Sequence, residues 1–292
     1  MIYNVKISGF ADEIAPDLQT QISSMKALGI SNIEMRGVDG ENLIFHTNHK
    51  ICEIKKQLDE NDIALSALGS PLGKIGITDP FEPHFDAFKR AVEVAHIMET
   101  PNIRMFSFYL PEDKSPSDYE TLVIDRIGRF VDYASENDIV LLHENEKGIY
   151  GEKAIGCKKL MDTFYGDHFK AIFDFANFVQ AKEDTMHAYQ LLQPYISYIH
   201  VKDAVWVDGT VVPVGFGDGN VPEILKDLYH HGFDGFLSLE PHLFDFQGLA
   251  SLERTDKKTR IEENHTLSGF EAFSLAYESL QKILDTLKNS CG

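Results

Sequence analysis

Two glutamates, an aspartate and a histidine occupy matching places in four short apolar runs of this sequence. Glu144 closes LLHE, Asp174 closes AIFD, His200 lies in YIHVKD and Glu240 closes LSLE. Carboxylates and an imidazole together form a mixed oxygen and nitrogen donor set, suited to Mn2+, Mg2+, Co2+ or Zn2+. A carboxylate ending a strand is by itself an ordinary solvated group; one metal-competent residue in each of four successive runs is not. Residues two apart on a strand point the same way. Leu142, Glu144 and Glu146 therefore share a face, as do Ile172 and Asp174, Tyr198, His200 and Lys202, and Phe236, Ser238, Glu240 and His242. Each polar residue continues a line that can fill an interior. His143 falls out of this alternation, which places it behind Glu144 or on the outer face. His230 and His231 precede Gly232 at a helix end, where capping is the expected role.

The elements that must position these residues are legible from periodicity. Strand-forming runs fall at 5–10, 32–37, 63–68, 102–108, 138–144, 170–174, 196–202 and 235–240. Helical spacing of apolar residues marks 17–29, 49–61, 85–98, 122–137, 156–164, 185–195, 221–232 and 268–287. Several helix ends share one phrase, ALGISNIEM, ENDIALSAL, ENDIVLLHE and HGFDGFLSL, in which a helix turns directly into a strand. Strict alternation predicts an α/β fold with a parallel sheet. Eight such units in 292 residues fit a (β/α)8 TIM barrel, typically about 250 residues, as a single domain over 1–292. An open doubly wound sheet is the alternative; no GxGxxG follows the first strand, and no Pro/Ser-rich linker divides the chain. In a barrel, the C-terminal ends of all strands ring one mouth, so the four donors would converge.

Composition bounds the function. The chain is 43% hydrophobic and 25% charged, ordinary for a soluble globular protein. Its formal net charge of -19 repels nucleic acid and anionic membranes and tolerates cations. Cys52, Cys157 and Cys291 form no CxxC pair, which speaks against a zinc-thiolate site or a disulfide framework. No signal-like segment and no run of 18 apolar residues occurs, so a cytoplasmic protein is expected.

These residues carry a resemblance. The opening GFADE, the segments HENE, FDFANF and HVKDA, the Gly-rich VGFGDG at 214–219 and the ending EPHL resemble the xylose isomerase-like TIM barrel superfamily, in particular its sugar phosphate isomerase/epimerase proteins. The likeness spans nearly the whole chain. It implies one divalent metal, Mn2+ first with Zn2+, Co2+ and Mg2+ also suited, held by Glu144, Asp174, His200 and Glu240. It implies no particular sugar. Glu146 stands where many relatives have His, Asn177 where many have the His of a DxxH pair, and Phe216 where relatives often have Glu.

The expected chemistry is isomerisation or epimerisation of a small sugar, keto sugar or polyol derivative through a metal-stabilised enediolate. Glu144 and Glu240 are the expected acid/base pair. Glu34, Arg36, Glu146, Asn177, Lys202, Asp203 and His242 are candidates for substrate hydroxyls. A lyase or dehydratase acting on a keto-inositol or 3-keto-glycoside is the alternative, since it begins with the same deprotonation. A phosphodiester nuclease is opposed by the charge; a non-catalytic sugar-binding protein is a further reading. The expected partner is a small carbohydrate. Barrels of this kind often associate, so a homo-oligomer is admitted.

Overall fold

The computed structural model describes residues 5–246, 249 and 267–290, and Cys291 lies outside them. Eight strands form one parallel sheet: β1 (Lys6–Gly9), β2 (Asn32–Met35), β3 (Ala64–Leu72), β4 (Asn102–Met105), β5 (Val140–Glu144), β6 (Phe169–Asp174), β7 (Ile196–Val201) and β8 (Phe236–Leu239). Their order is β1-β8-β7-β6-β5-β4-β3-β2, which curls into a nearly closed barrel. Among the described residues no backbone ladder joins β1 to β2; there Asn32 Nδ2 donates to the Ile7 carbonyl at 3.4 Å.

The helices are α1 (Leu18–Ala27), α2 (Asn48–Asp59), α3 (Phe81–Ile97), α4 (Pro116–Glu136), α5 (Ala154–Phe164), α6 (Phe175–Gln180), α7 (Thr185–Leu192), α8 (Val221–His230) and α9 (Gly269–Ser290). Asp17, Thr47 and Asp184 cap α1, α2 and α7 through their side-chain oxygens. The shared turn phrase has one physical cause. The backbone goes left-handed where the helix stops, at Gly29, Asp62, Asp138 and Gly232.

Strand alternation sorts the core into two parts. Ile33, Ile103, Leu141, Phe173, Ile199 and Leu237 face outward and join the large core under the helices. Ala67, Leu142, Ile172 and Tyr198 face inward and form a separate cluster in the barrel, with Val140 and Phe236 against it. This inner layer is the floor beneath the mouth.

Several elements differ from the sequence expectation. β3 runs to Leu72 rather than residue 68, passing a register irregularity beyond Leu68. α4 begins at Pro116 because Ser115 and Asp118 form a capping box ahead of the apolar pattern. α7 ends at Leu192 and gives way to a single 3-10 turn containing Pro194. The short α6 was not expected at all.

Candidate metal centre

The four donors meet at the mouth. Strand register puts Asp174 beside His200 and His200 beside Ser238, one residue pair below Glu240. Glu144, Asp174, His200 and Glu240 are all buried, and each offers one ligand atom within 4.8 Å of the others. His200 Nδ1 lies 3.0 Å from Glu144 Oε1, 3.7 Å from Glu240 Oε2 and 3.9 Å from Asp174 Oδ2. A register irregularity between Ala171 and Ile172 precedes this pairing. Such bulges re-aim side chains.

One oxygen of each carboxylate is anchored by a neighbour outside the four donors. Asp174 Oδ1 accepts from the backbone N–H of Asn177 at 2.8 Å, so Asp174 is also the cap of α6. Glu144 Oε2 lies 3.3 Å from Arg104 Nη1, and Glu240 Oε1 lies 3.3 Å from Arg36 Nη1. The remaining oxygens turn toward His200. Lys202 Nζ donates to Glu240 Oε2 at 2.8 Å and sits 3.0 Å from Asp174 Oδ2, an ion pair without hydrogen-bond alignment.

The residues present fit a divalent cation. Asp174 Oδ2 and His200 Nδ1 are buried and have no hydrogen-bond partner. Buried polar atoms are rarely left so, and these two face each other across the donor cluster. Electrostatics show the same demand for positive charge. Burial pushes the Asp174 carboxyl up to about 7, with Lys202 opposing and Glu240 and Glu144 adding to the rise. Burial works against charge on His200, yet Glu144 and Glu34 lift its pKa well above the ordinary imidazole value. Glu240 is held well below the usual carboxylate range despite burial, because Lys202, His242, His200 and Arg104 surround it.

The other expected site residues divide. Arg36 is at the centre, bonded to Asp12 at 2.8 Å, to Glu13 at 3.4 Å and to Glu240. Asn177 Nδ2 donates to Glu144 Oε1 at 3.3 Å and to the Asn145 carbonyl at 2.9 Å, so it props the cluster. Glu146 pairs with Lys74 at 3.1 Å on the rim. His242 has a left-handed backbone, donates its N–H to Glu13, and puts Nε2 3.6 Å from Glu240.

Glu34 and Asp203 are both engaged by protein partners. Glu34 is fully buried against His200 and accepts from Ser238. Asp203 faces away from the centre. Its two oxygens accept from the backbone N–H groups of Ala204, Gly215, Gly217 and Gly219, and so tie down the Gly-rich loop. Glycine is required there, because a Cβ at Gly217 would lie 2.4 Å from Asp203 Oδ1. His143 is on the outer face against Phe169, and burial pushes its pKa down to about 3. His231 Nδ1 bonds the Asp227 carbonyl at the end of α8.

Sequence reading missed three residues. Arg104 is an inward-facing cation between the apolar residues Ile103 and Met105, a signal that was available. Phe10 lies between the two guanidiniums, 4.5 Å from Arg36 Cζ and 4.9 Å from Arg104 Cζ, and meets His200 edge-on. Glu13, in a single 3-10 turn after β1, follows no period. A groove of about 590 Å³ lined by Leu110, Pro111, Ile149, Tyr150 and Ile155 includes none of these residues.

Known proteins give the arrangement its context. No curated protein matches the chain. A D-tagatose 3-epimerase-like protein is 15% identical, with a TM-score of 0.73 over 99% of this chain and 100% of its own. An IOLI protein crystallised with a zinc atom is 14% identical, with a TM-score of 0.75 over 97% of this chain and 99% of its own. A probable 3-DHS dehydratase from Bacillus anthracis is 16% identical, with a TM-score of 0.71 over 95% of this chain and 99% of its own. At such identities the likeness is one of fold. The sequence signature of the xylose isomerase-like TIM barrel matches residues 22–265, so the chain belongs to that family.

Proposed function

We propose that this protein is a divalent-metal-dependent isomerase or epimerase of a small keto sugar or polyol derivative. The observation that carries the reading is the buried cluster of Glu144, Asp174, His200 and Glu240, in which Asp174 Oδ2 and His200 Nδ1 have no hydrogen-bond partner. A cation held there supplies Lewis-acid polarisation of an α-hydroxy carbonyl group. The chain's residues supply the proton transfer. Glu144 and Glu240 each keep one oxygen toward His200 and present the other beside an arginine. On either side of a substrate carbon, one removes the proton and the other returns it. Arg104 and Arg36 orient the carboxylates. In this reading Lys202, which pairs with Asp174 and Glu240, donates to a substrate oxygen. The burial of the cluster limits water around the reacting carbon.

A lyase or dehydratase reading shares the first deprotonation, and the likeness to a probable 3-DHS dehydratase keeps it as the second reading. One experiment separates them. The purified protein is incubated in D2O with Mn2+ and a panel of keto sugars, keto-inositols and 3-keto-glycosides. Deuterium at the carbon next to the carbonyl, with a new epimer or isomer, supports the proposal. Ultraviolet absorbance of a conjugated enone, or released aglycone, favours the lyase. No exchange with any of Mn2+, Zn2+, Co2+ or Mg2+ sinks both.

A further inference from the structure

Glu34 has no place in the proton transfer just described, yet it is a fully buried carboxylate inside the barrel. The register of β2 against β3 slips between Ile33 and Glu34, with Ile33 opposite Leu65 and Glu34 opposite Ala67. The irregularity falls where Glu34 turns inward beneath His200. Both Glu34 oxygens are near His200 Nε2, at 3.1 and 3.3 Å, and Oε2 also accepts from Ser238 Oγ at 2.6 Å. Phe10 and Tyr198 meet the imidazole edge-on at 5.3 and 5.9 Å between ring centres, which fixes its plane.

A neutral imidazole has one N–H donor and one lone-pair acceptor, and an ionised carboxylate only accepts. With the proton on Nδ1, the Nε2 lone pair would face two carboxylate oxygens. With the proton on Nε2, the imidazole donates to Glu34 and the Nδ1 lone pair points at the donor cluster, where a cation shared with Glu144 Oε1, 3.0 Å away, would offset the repulsion that nothing offsets on the Glu34 side. We propose that Glu34 is a positioning residue that selects the Nε2–H tautomer of His200 and thereby makes Nδ1 the metal-binding nitrogen. The inference rests on the metal-centre reading and adds a residue to it. Ser238 holds Glu34 in turn. Carboxylates that orient a ligating imidazole typically change metal affinity by about 10–100-fold when removed.

The test reads binding rather than turnover. Affinity for Co2+ and Zn2+ is measured by competition with a chromophoric chelator for wild type, Glu34→Gln and Glu34→Leu. The glutamine keeps a neutral acceptor, so about tenfold weaker binding is expected; the leucine keeps none, so the loss approaches about 100-fold. Equal affinity in wild type and Glu34→Leu, or equal losses in both variants, overturns the inference. Nitrogen-15 NMR of zinc-loaded, histidine-labelled wild type gives an answer that needs no variant to fold. A proton on His200 Nε2 with a metal-shifted Nδ1 supports the assignment; the reverse pattern overturns it. Wild type that binds no divalent metal overturns the centre and this inference together, whereas wild-type binding undiminished in the variants overturns this inference alone.

Discussion

At the scale of single residues, the centre is a balance of buried charges, and each charge has an assigned neighbour. Asp174 caps α6 with one oxygen and turns the other, ion-paired with Lys202, into the donor cluster, so Asp174→Ala should lose metal binding and weaken α6 together. Elemental analysis of protein purified without chelator would show bound metal in wild type and none in the variant. Glu144→Gln keeps the shape but cannot accept a proton; exchange of the substrate α-hydrogen should fall about 10²–10⁴-fold, measured by NMR in D2O. Exchange unchanged in Glu144→Gln would remove the acid/base assignment. Much of this cluster was legible from the two-residue period alone, which placed Glu144, Asp174, His200 and Glu240 on inward faces. The same period could not separate Glu34 from Arg36. Both point inward, but one is buried under His200 while the other reaches Glu240, and depth along the barrel axis is not a property of alternation. The alternation says nothing of how Asp203 is used, because the chain turns after Val201 and the strand rule no longer applies.

At the scale of elements, short loops hold the mouth. Asp203 satisfies four backbone N–H groups, three of them in the Gly-rich segment. Asp203→Ala should cost about 2–4 kcal/mol, since several buried donors lose their acceptor, while metal affinity stays near wild type. Chemical denaturation and chelator competition on one preparation check both halves. The loop after β3 is tied to α3, where His84 Nε2 accepts from the Gly73 N–H at 2.7 Å. Burial, and then the Arg126 charge, push the His84 pKa from 6.5 down to about 4. The folded state therefore binds this proton less readily than the unfolded state. The stability this contact contributes is present above pH 6.5 and is lost as pH falls toward 4. The gap in thermal midpoint between wild type and His84→Asn should accordingly narrow on acidification. A gap that widens instead would contradict the assignment. Elements with long periodic patterns were readable in advance. α6 was not, because six residues after a capping aspartate show no periodicity, and β3 continues past residue 68 through Gly69 and Pro71, residue types that ordinarily weaken a strand.

At the scale of the whole molecule, a net charge of -19 surrounds a centre suited to a cation. Raising ionic strength should slow metal uptake, which stopped-flow measurement with a fluorescent chelator would record. Among the described residues no helix is long and apolar enough to cross a membrane. Metal at about 100 times its dissociation constant should stabilise the fold by about 2.7 kcal/mol, visible as a higher thermal midpoint that a chelator reverses. The open seam between β1 and β2 gives this coupling a physical route. An incompletely laddered ring is a strip with two lips. Arg36 stands on the β2 lip and grips Asp12, Glu13 and Glu240 across the gap, while Glu34 reaches from the same lip to His200 and Ser238. The groups arranged around the proposed chemistry are thus also the clasp of the ring. Loosening them should appear first as faster amide hydrogen exchange along β1 and β2, before any other strand responds.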